Sequence, residues 1–383
     1  MSTIGLYISM FIICSVTLRY VGILYKRTIC QCTAKHICIS NDITFKYLMV
    51  GMFCLSPLIF LYGFRYGIGT DYYAYEDIYY QLHNLHFFEY IKKHLSGEIY
   101  LEIGYYFLNK IAYNYTALQI IIAILIYCVI VISIIRSQVH WGMAILIYLC
   151  EHFAYSMNGI RFVIALSFIL LGYTYLIDNK TLRYLIFILI AMCFHKSALI
   201  SIIFVGLREF NSKLLNKIRD WMLVLSIICF PLIVPVLYNL TKKVLIFERY
   251  CSIDMYAFHI PSLISFKWLL HILPVILPLV IVCNRNLINN VKSVIIMRIF
   301  LLEIPFRMFG FYNIWYGRLA RIPQLIEIIM IPMILSNIKE HQVRYILTIY
   351  YFCWYIFYFI YQTYFIGNSE VIPYQSIFTR YLR

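Results

Sequence analysis

The residues best equipped for chemistry stand in short polar stretches set among apolar ones. The first is Arg65-Tyr66-Gly67-Ile68-Gly69-Thr70-Asp71-Tyr72-Tyr73-Ala74-Tyr75. Its glycines permit positive φ and close backbone approach. Arg65 offers a forked donor to phosphate or carboxylate, and the Asp71 carboxylate can take a proton or accept a hydrogen bond from a sugar hydroxyl. Phenols such as Tyr72 suit a membrane-interface belt or a platform for sugar rings. The plainer role for the stretch is a turn that closes a hydrophobic helix. Further along stand Glu102-Ile103-Gly104-Tyr105, then Asn158-Gly159-Ile160-Arg161, then His195-Lys196-Ser197 inside an apolar run, and last the segment from Arg307 to Arg321, which also carries Arg318.

The elements that must position these groups are membrane helices. Of the 383 residues, 63% are hydrophobic and 13% charged, and the mean hydropathy is +0.80, far more apolar than a soluble domain. Apolar runs of about 17 to 25 residues recur throughout, each long enough to cross a hydrocarbon core of about 30 Å as a helix. Strand alternation is absent, which argues against a barrel. The expected fold is an all-α polytopic integral membrane protein, residues 1–383 forming a single transmembrane domain of roughly 11–12 helices. The net charge of +15 does not point to nucleic acid, because the basic residues are scattered singly at helix ends and short loops, where they set topology and meet lipid headgroups. No A-x-A cleavage site follows the first apolar run, so that run reads as a retained span.

The spans expected are 4–25, 47–64, 117–135, 141–157, 162–177, 221–238, 262–283, 294–306, 322–335 and 345–362, with two short helices meeting at His195 in place of one tilted span. A basic loop is expected over 26–46, a long outer loop over about 65–116 holding short interfacial helices, and a second, arginine-rich outer loop over about 307–321. Glu303 stands four residues before Arg307, so the two can pair along one helix face. Counting crossings puts Arg65, Arg161, Lys196, Arg307, Arg318 and Arg321 on one side. Several guanidinium groups at one membrane level are costly unless they meet an anion, and the anion expected there is a lipid phosphate or pyrophosphate. Cys30, Cys32, His36 and Cys38 lack the spacing of a zinc site and no D-x-D cluster is present, so neither metal nor cofactor is expected.

The stretch R-Y-G-I-G-T-D-Y-Y-A-Y, with Glu102-Ile103-Gly104-Tyr105, Asn158-Gly159-Ile160-Arg161-Phe162-Val163-Ile164-Ala165 and Phe194-His195-Lys196-Ser197-Ala198-Leu199, resembles the EpsG branch of the Wzy-type polysaccharide polymerases in order and spacing. The last third of the chain matches only through its arginine-rich segment. The resemblance implies a membrane glycosyltransferase similar to GT-C-fold enzymes, in the bacterial inner (cytoplasmic) membrane with its active face outward. Such an enzyme joins polyprenyl-pyrophosphate-linked oligosaccharide repeats into O-antigen, capsule or exopolysaccharide, and a chain-length regulator is an expected partner beside membrane lipids. Its chemistry must stabilise a pyrophosphate leaving group and take a proton from an acceptor hydroxyl. Arg161, Arg318 and Arg321 are candidates for the pyrophosphate, with Lys196 and Arg307 on the same side. Arg65 and Asp71, with Gly69, Thr70 and Tyr72 of the same stretch and Glu102, are candidates for binding substrate, and Asp71 or His195 for the general base. Glu102, Glu151 and Glu303 are rival bases whose alternative role is ion pairing with a neighbouring cation. A flippase for lipid-linked sugars is the competing class, disfavoured because no internal repeat is seen and the polar loops load one face. An O-antigen ligase is the other, sharing the donor and differing in acceptor.

Overall fold

A computed structural model describes residues 2–34, 41–208, 212–225, 291–312 and 314–379. Among these every regular element is helical. Helix α1 (Thr3–Ala34) runs well past the expected first span. The basic stretch after Tyr25 continues it, because no Gly or Pro interrupts Lys26 to Ala34 and Lys and Arg are good helix formers. The next helix, α2 (Asn41–Cys54), starts before Lys46, so the loop expected over 26–46 is largely helix. The expected span 47–64 is two pieces, α2 and α3 (Ser56–Gly63), bent by 54°. Pro57 in the first turn of α3 lacks the N–H that would continue the ladder, which accounts for the break.

The long polar segment folds into three short helices, α4 (Tyr72–Asn84), α5 (Phe87–Leu95) and α6 (Ile103–Ile111). Tyr72, Tyr75, Tyr79 and Leu82 recur at helical spacing and form the buried stripe of α4. Helix α7 (Tyr115–Ser137) begins where the Asn114 side chain accepts the Ala117 N–H at 2.7 Å and ends where Gln138 turns left-handed. Helix α8 (Trp141–Ser156) is buried on nearly all sides and packs against α1, α7 and the helix His341–Ile360. Its apolar residues from Trp141 to Cys150 cover every face, as suits a core helix. A turn at Asn158-Gly159 leads into α9 (Ile160–Ile177), followed by α10 (Thr181–Met192) and a 3₁₀ helix at Lys196–Leu207. The chain therefore breaks at His195, as expected from the charged interruption of an apolar run.

Beyond 213–225 the described helices are Val291–Tyr312, Ile314–Gln324, Glu327–Asn337 and His341–Ile360. Arg307 lies on the first of these, and Arg318 and Arg321 on the second. The described residues of the arginine-rich loop expected over 307–321 are thus helical, no proline standing between Arg307 and Ile322. The span expected at 262–283, most of 221–238, and His36 and Cys38 lie outside the described residues. Five helices among the described residues are long and apolar enough to cross a bilayer: Thr3–Cys32, Tyr115–Ser137, Ile160–Ile177, Gly317–Asn337 and His341–Phe365. The bent pair α2–α3 is a sixth if it makes one crossing. The chain is an all-α polytopic membrane protein.

Two compact units divide the chain, one made of 1–174, 186–199 and 338–383, the other of 175–185 and 200–337. The first is centred on α8, where Phe153 meets Phe11 and Tyr7 edge-on at 5.1 and 5.4 Å and Phe359 packs on Phe11 at 4.9 Å. In the second, Arg298 forks onto Asp220, Nε to Oδ1 at 2.9 Å and Nη2 to Oδ2 at 3.2 Å, and Nη1 donates to the Leu207 carbonyl at 3.1 Å. This ties the end of the 3₁₀ helix to two later helices. Burial works against the Asp220 carboxylate, yet Arg219 and Arg298 hold it below the usual range.

Candidate functional site

In the first unit, stretches far apart in sequence meet. The loop 65–71 lies on the turn between α8 and α9, and Gly69 is the point of contact. Its φ is +99°, which disfavours any side chain, and a Cβ there would fall 2.5 Å from Asn158 Oδ1 and 2.8 Å from the Met157 carbonyl oxygen. Asp71 is the residue before α4, so its carboxylate sits at the positive end of that helix, and Thr70 Oγ1 lies 3.4 Å from its Oδ1. Thr70 is exposed and Asp71 half-buried.

A second junction is built around Glu102, the residue before α6. Its Oε2 accepts from Arg161 Nη1 at 2.5 Å, and its Oε1 accepts the Lys196 N–H at 3.2 Å. The start of α6 docks on the break after α10, where the Gly104 N–H donates to the Cys193 carbonyl at 2.7 Å. Close approach requires glycine here, since a Cβ at Gly104 would stand 2.7 Å from that same oxygen. One carboxylate, 7% exposed, thus joins α6, α9 and the 3₁₀ helix. Arg161 is 23% exposed at its side chain, with its Nε buried. The Tyr75 phenol stands against the same guanidinium. Burial pushes the Tyr75 hydroxyl up, against the pull of Arg161, and keeps it a neutral phenol. At the break itself, His195 Nδ1 is 2.6 Å from Ser197 Oγ and its ring lies 4.9 Å from that of Phe162, while Lys196 is exposed.

Other expected site residues are placed elsewhere. Arg65, expected to present its fork to substrate, is 0% exposed. Its Nη1 donates to the Tyr62 carbonyl at 2.9 Å, its guanidinium carbon lies 4.0 Å over the Tyr62 ring, and its Nε and Nη2 make no hydrogen bond. Packing among phenols, not exposure at a helix end, is what the local sequence produces. Tyr72 is likewise buried, among the rings of Tyr66, Tyr73 and Tyr115, and burial pushes its phenol up to about 12.

In the second unit Arg307 is buried between two carboxylates that are both 0% exposed, Glu303 through a short bond and Glu327 at 2.9 Å. The Glu303–Arg307 pairing expected from their spacing is present, and it turns Arg307 inward instead of toward a ligand. Arg318 and Arg321 are half-buried on the helix Ile314–Gln324. Glu151 is buried on α8, its Oε2 3.9 Å from His152 Nε2. Two of the three rival bases, Glu102 and Glu303, are therefore paired with arginines. Among the described residues no group of three His, Cys, Asp or Glu side chains is arranged to hold a metal ion.

Sequence reasoning did not single out Tyr75 as the neighbour of Arg161, nor the role of Gly104, whose spacing two residues after Glu102 was the available signal. It also missed the segment 366–379, which folds back onto the loop 64–69. A family model described as the EpsG family matches residues 47–376. No curated protein and no solved structure matches the chain.

Proposed function

The chain belongs to the EpsG family, and from that premise we propose that it polymerises polyprenyl-pyrophosphate-linked oligosaccharide repeats at the outer face of the inner membrane. It is a multi-pass membrane protein of polysaccharide biosynthesis. The observation that carries the finer reading is the junction of Arg161, Glu102 and Lys196. Glu102 pairs there with the guanidinium of Arg161, whose side chain is partly exposed, and with the backbone N–H of Lys196, whose side chain is exposed, and two cationic residues at one junction suit an anion that carries more than one charge.

In the proposed reaction the bond between the donor's anomeric carbon and the pyrophosphate oxygen breaks, the electron pair leaving with the pyrophosphate. Arg161 receives the growing charge by hydrogen bonds, with Lys196 beside it. The acceptor hydroxyl oxygen forms the new glycosidic bond and gives its proton to Asp71 or His195. Thr70 and Asp71 supply polar contacts to the acceptor sugar. Glu102 orients Arg161 and does not itself take the proton, since both its oxygens are already engaged. Arg318 and Arg321, in the second unit, are proposed as anion ligands in their own right.

Deleting the gene and resolving the surface glycolipid on a gel tests the reading. A single repeat left attached to its carrier core is expected, and Arg161→Ala with the protein retained in the membrane should give the same pattern. Loss of every attached repeat would instead make the chain a ligase or a flippase.

A further inference from the structure

We infer that residues 366–379 are a positioning strap for the glycine loop, so that a segment with no side chain assigned to the chemistry is required for the candidate site to be competent. The tail runs antiparallel to the loop, with Arg65 and Ser376 directly opposed. On either side of that pair the Tyr66 N–H donates to the Gln375 carbonyl and the Ile377 N–H to the Phe64 carbonyl, both at 3.0 Å. Further along, the Gly69 N–H donates to the Glu370 carbonyl at 3.3 Å. Buried backbone groups need partners, and here residues some three hundred positions later in the chain supply them.

The strap is itself anchored at three points. The Tyr374 hydroxyl donates to the Leu61 carbonyl at 3.0 Å, the Tyr374 N–H donates to Thr3 Oγ1 at 3.1 Å, and the Tyr7 hydroxyl donates to the Val371 carbonyl at 2.9 Å. The Tyr374 ring meets Tyr7 edge-on at 6.1 Å, and Phe378 stacks on Phe60 at 5.9 Å. These contacts close α1, α3 and the tail around Arg65, which explains how a guanidinium comes to be fully buried at the start of a loop. Arg65 acts through the loop's position, in contrast to the substrate contact that its residue type suggests. The consequence for the site is direct: the strap holds Gly69, Gly69 bears on Asn158 and Met157, and the turn they form opens the helix that carries Arg161.

Hydrogen exchange on the full-length protein in nanodiscs, read beside polymer length in cells, tests the inference. Ile377→Pro removes one strap N–H and is expected to speed exchange in 64–70 by about tenfold, with α7 and α8 unchanged and polymer lost. Removing everything after Phe365 should do the same more strongly. Unchanged exchange at 64–70, an increase spread evenly over α7 and α8, or wild-type polymer from either variant would each overturn the strap. The exchange readout does not depend on the polymerase reading. If the intact chain made no polymer, that reading would fail while the strap was still decided by exchange.

Discussion

Replacing Glu102 is the sharpest perturbation of the candidate site, because one carboxylate serves two partners. In Glu102→Ala the Arg161 guanidinium loses its counter-ion and the Lys196 N–H loses its acceptor. Breaking a buried ion pair costs about 3–5 kcal/mol, most of it from the charge left behind. Arg161 keeps partial access to water at 23% exposure, so the lower end, about 3 kcal/mol, is expected. Glu102→Gln keeps the shape and one good acceptor and loses the charge, and about 1–2 kcal/mol is expected from the difference between charged and neutral hydrogen bonds. The pairwise part is separable by a double-mutant cycle with Arg161→Leu, read by equilibrium unfolding in mixed micelles. A coupling of about 2 kcal/mol is expected for two side chains in direct contact. Activity should fall further than stability, since a guanidinium displaced by about 1 Å can cost about a hundredfold in rate. If the single and double substitutions add to within about 0.5 kcal/mol, or Glu102→Gln makes polymer of wild-type length, the argument that Glu102 positions Arg161 is wrong.

Gly69→Ala must accept a positive φ and a contact with Asn158 and Met157, so it is expected to destabilise by more than about 1 kcal/mol and to abolish polymer, measured by unfolding and glycolipid gels. Gly104→Ala should act similarly by pushing α6 off the Cys193 carbonyl, whereas Gly206→Ala, with open space around it, is the neutral control. Arg307→Leu leaves Glu303 and Glu327 buried without their shared cation and should cost about 3–5 kcal/mol; a variant as stable as the wild type would show that the two carboxylates are not charged together. Arg318→Ala is expected to abolish polymer while the protein remains in the membrane, and Arg318→Lys should fail as well if forked donation matters; polymer of normal length from both would remove Arg318 from the anion-binding set.

How much was legible depended on how far apart the partners stood. The Glu303–Arg307 pair was readable because four residues is one helical turn, a distance that local geometry fixes. The break at His195 was readable because a charged pair inside an apolar run has few stable placements other than a helix end. Helix α8 was readable from the apolar run Trp141 to Cys150 that begins it. The basic stretch after Tyr25 was not, since Lys and Arg suit a loop on the rule of charge and a helix on the rule of propensity, and propensity prevailed. The Glu102–Arg161 pair spans 59 residues, a separation about which periodicity says nothing. Arg65 misled for a related reason. An arginine beside glycines looks like a ligand for an anion, and only the three-dimensional arrangement of Tyr7, Tyr62 and Tyr374 reveals a cation held inside.

The strap also sets a timetable. Its bond from Tyr374 to Leu61 joins positions 313 residues apart, and the ribosome adds about 5–20 residues each second. The glycine loop is therefore synthesised on the order of 15 to 60 s before its last partners. During that interval the nascent chain can settle its helices in the bilayer while the loop stays unfinished. Maturation of the site then waits on synthesis of the strap, and a translation product stalled before Tyr374 is expected to make no polymer.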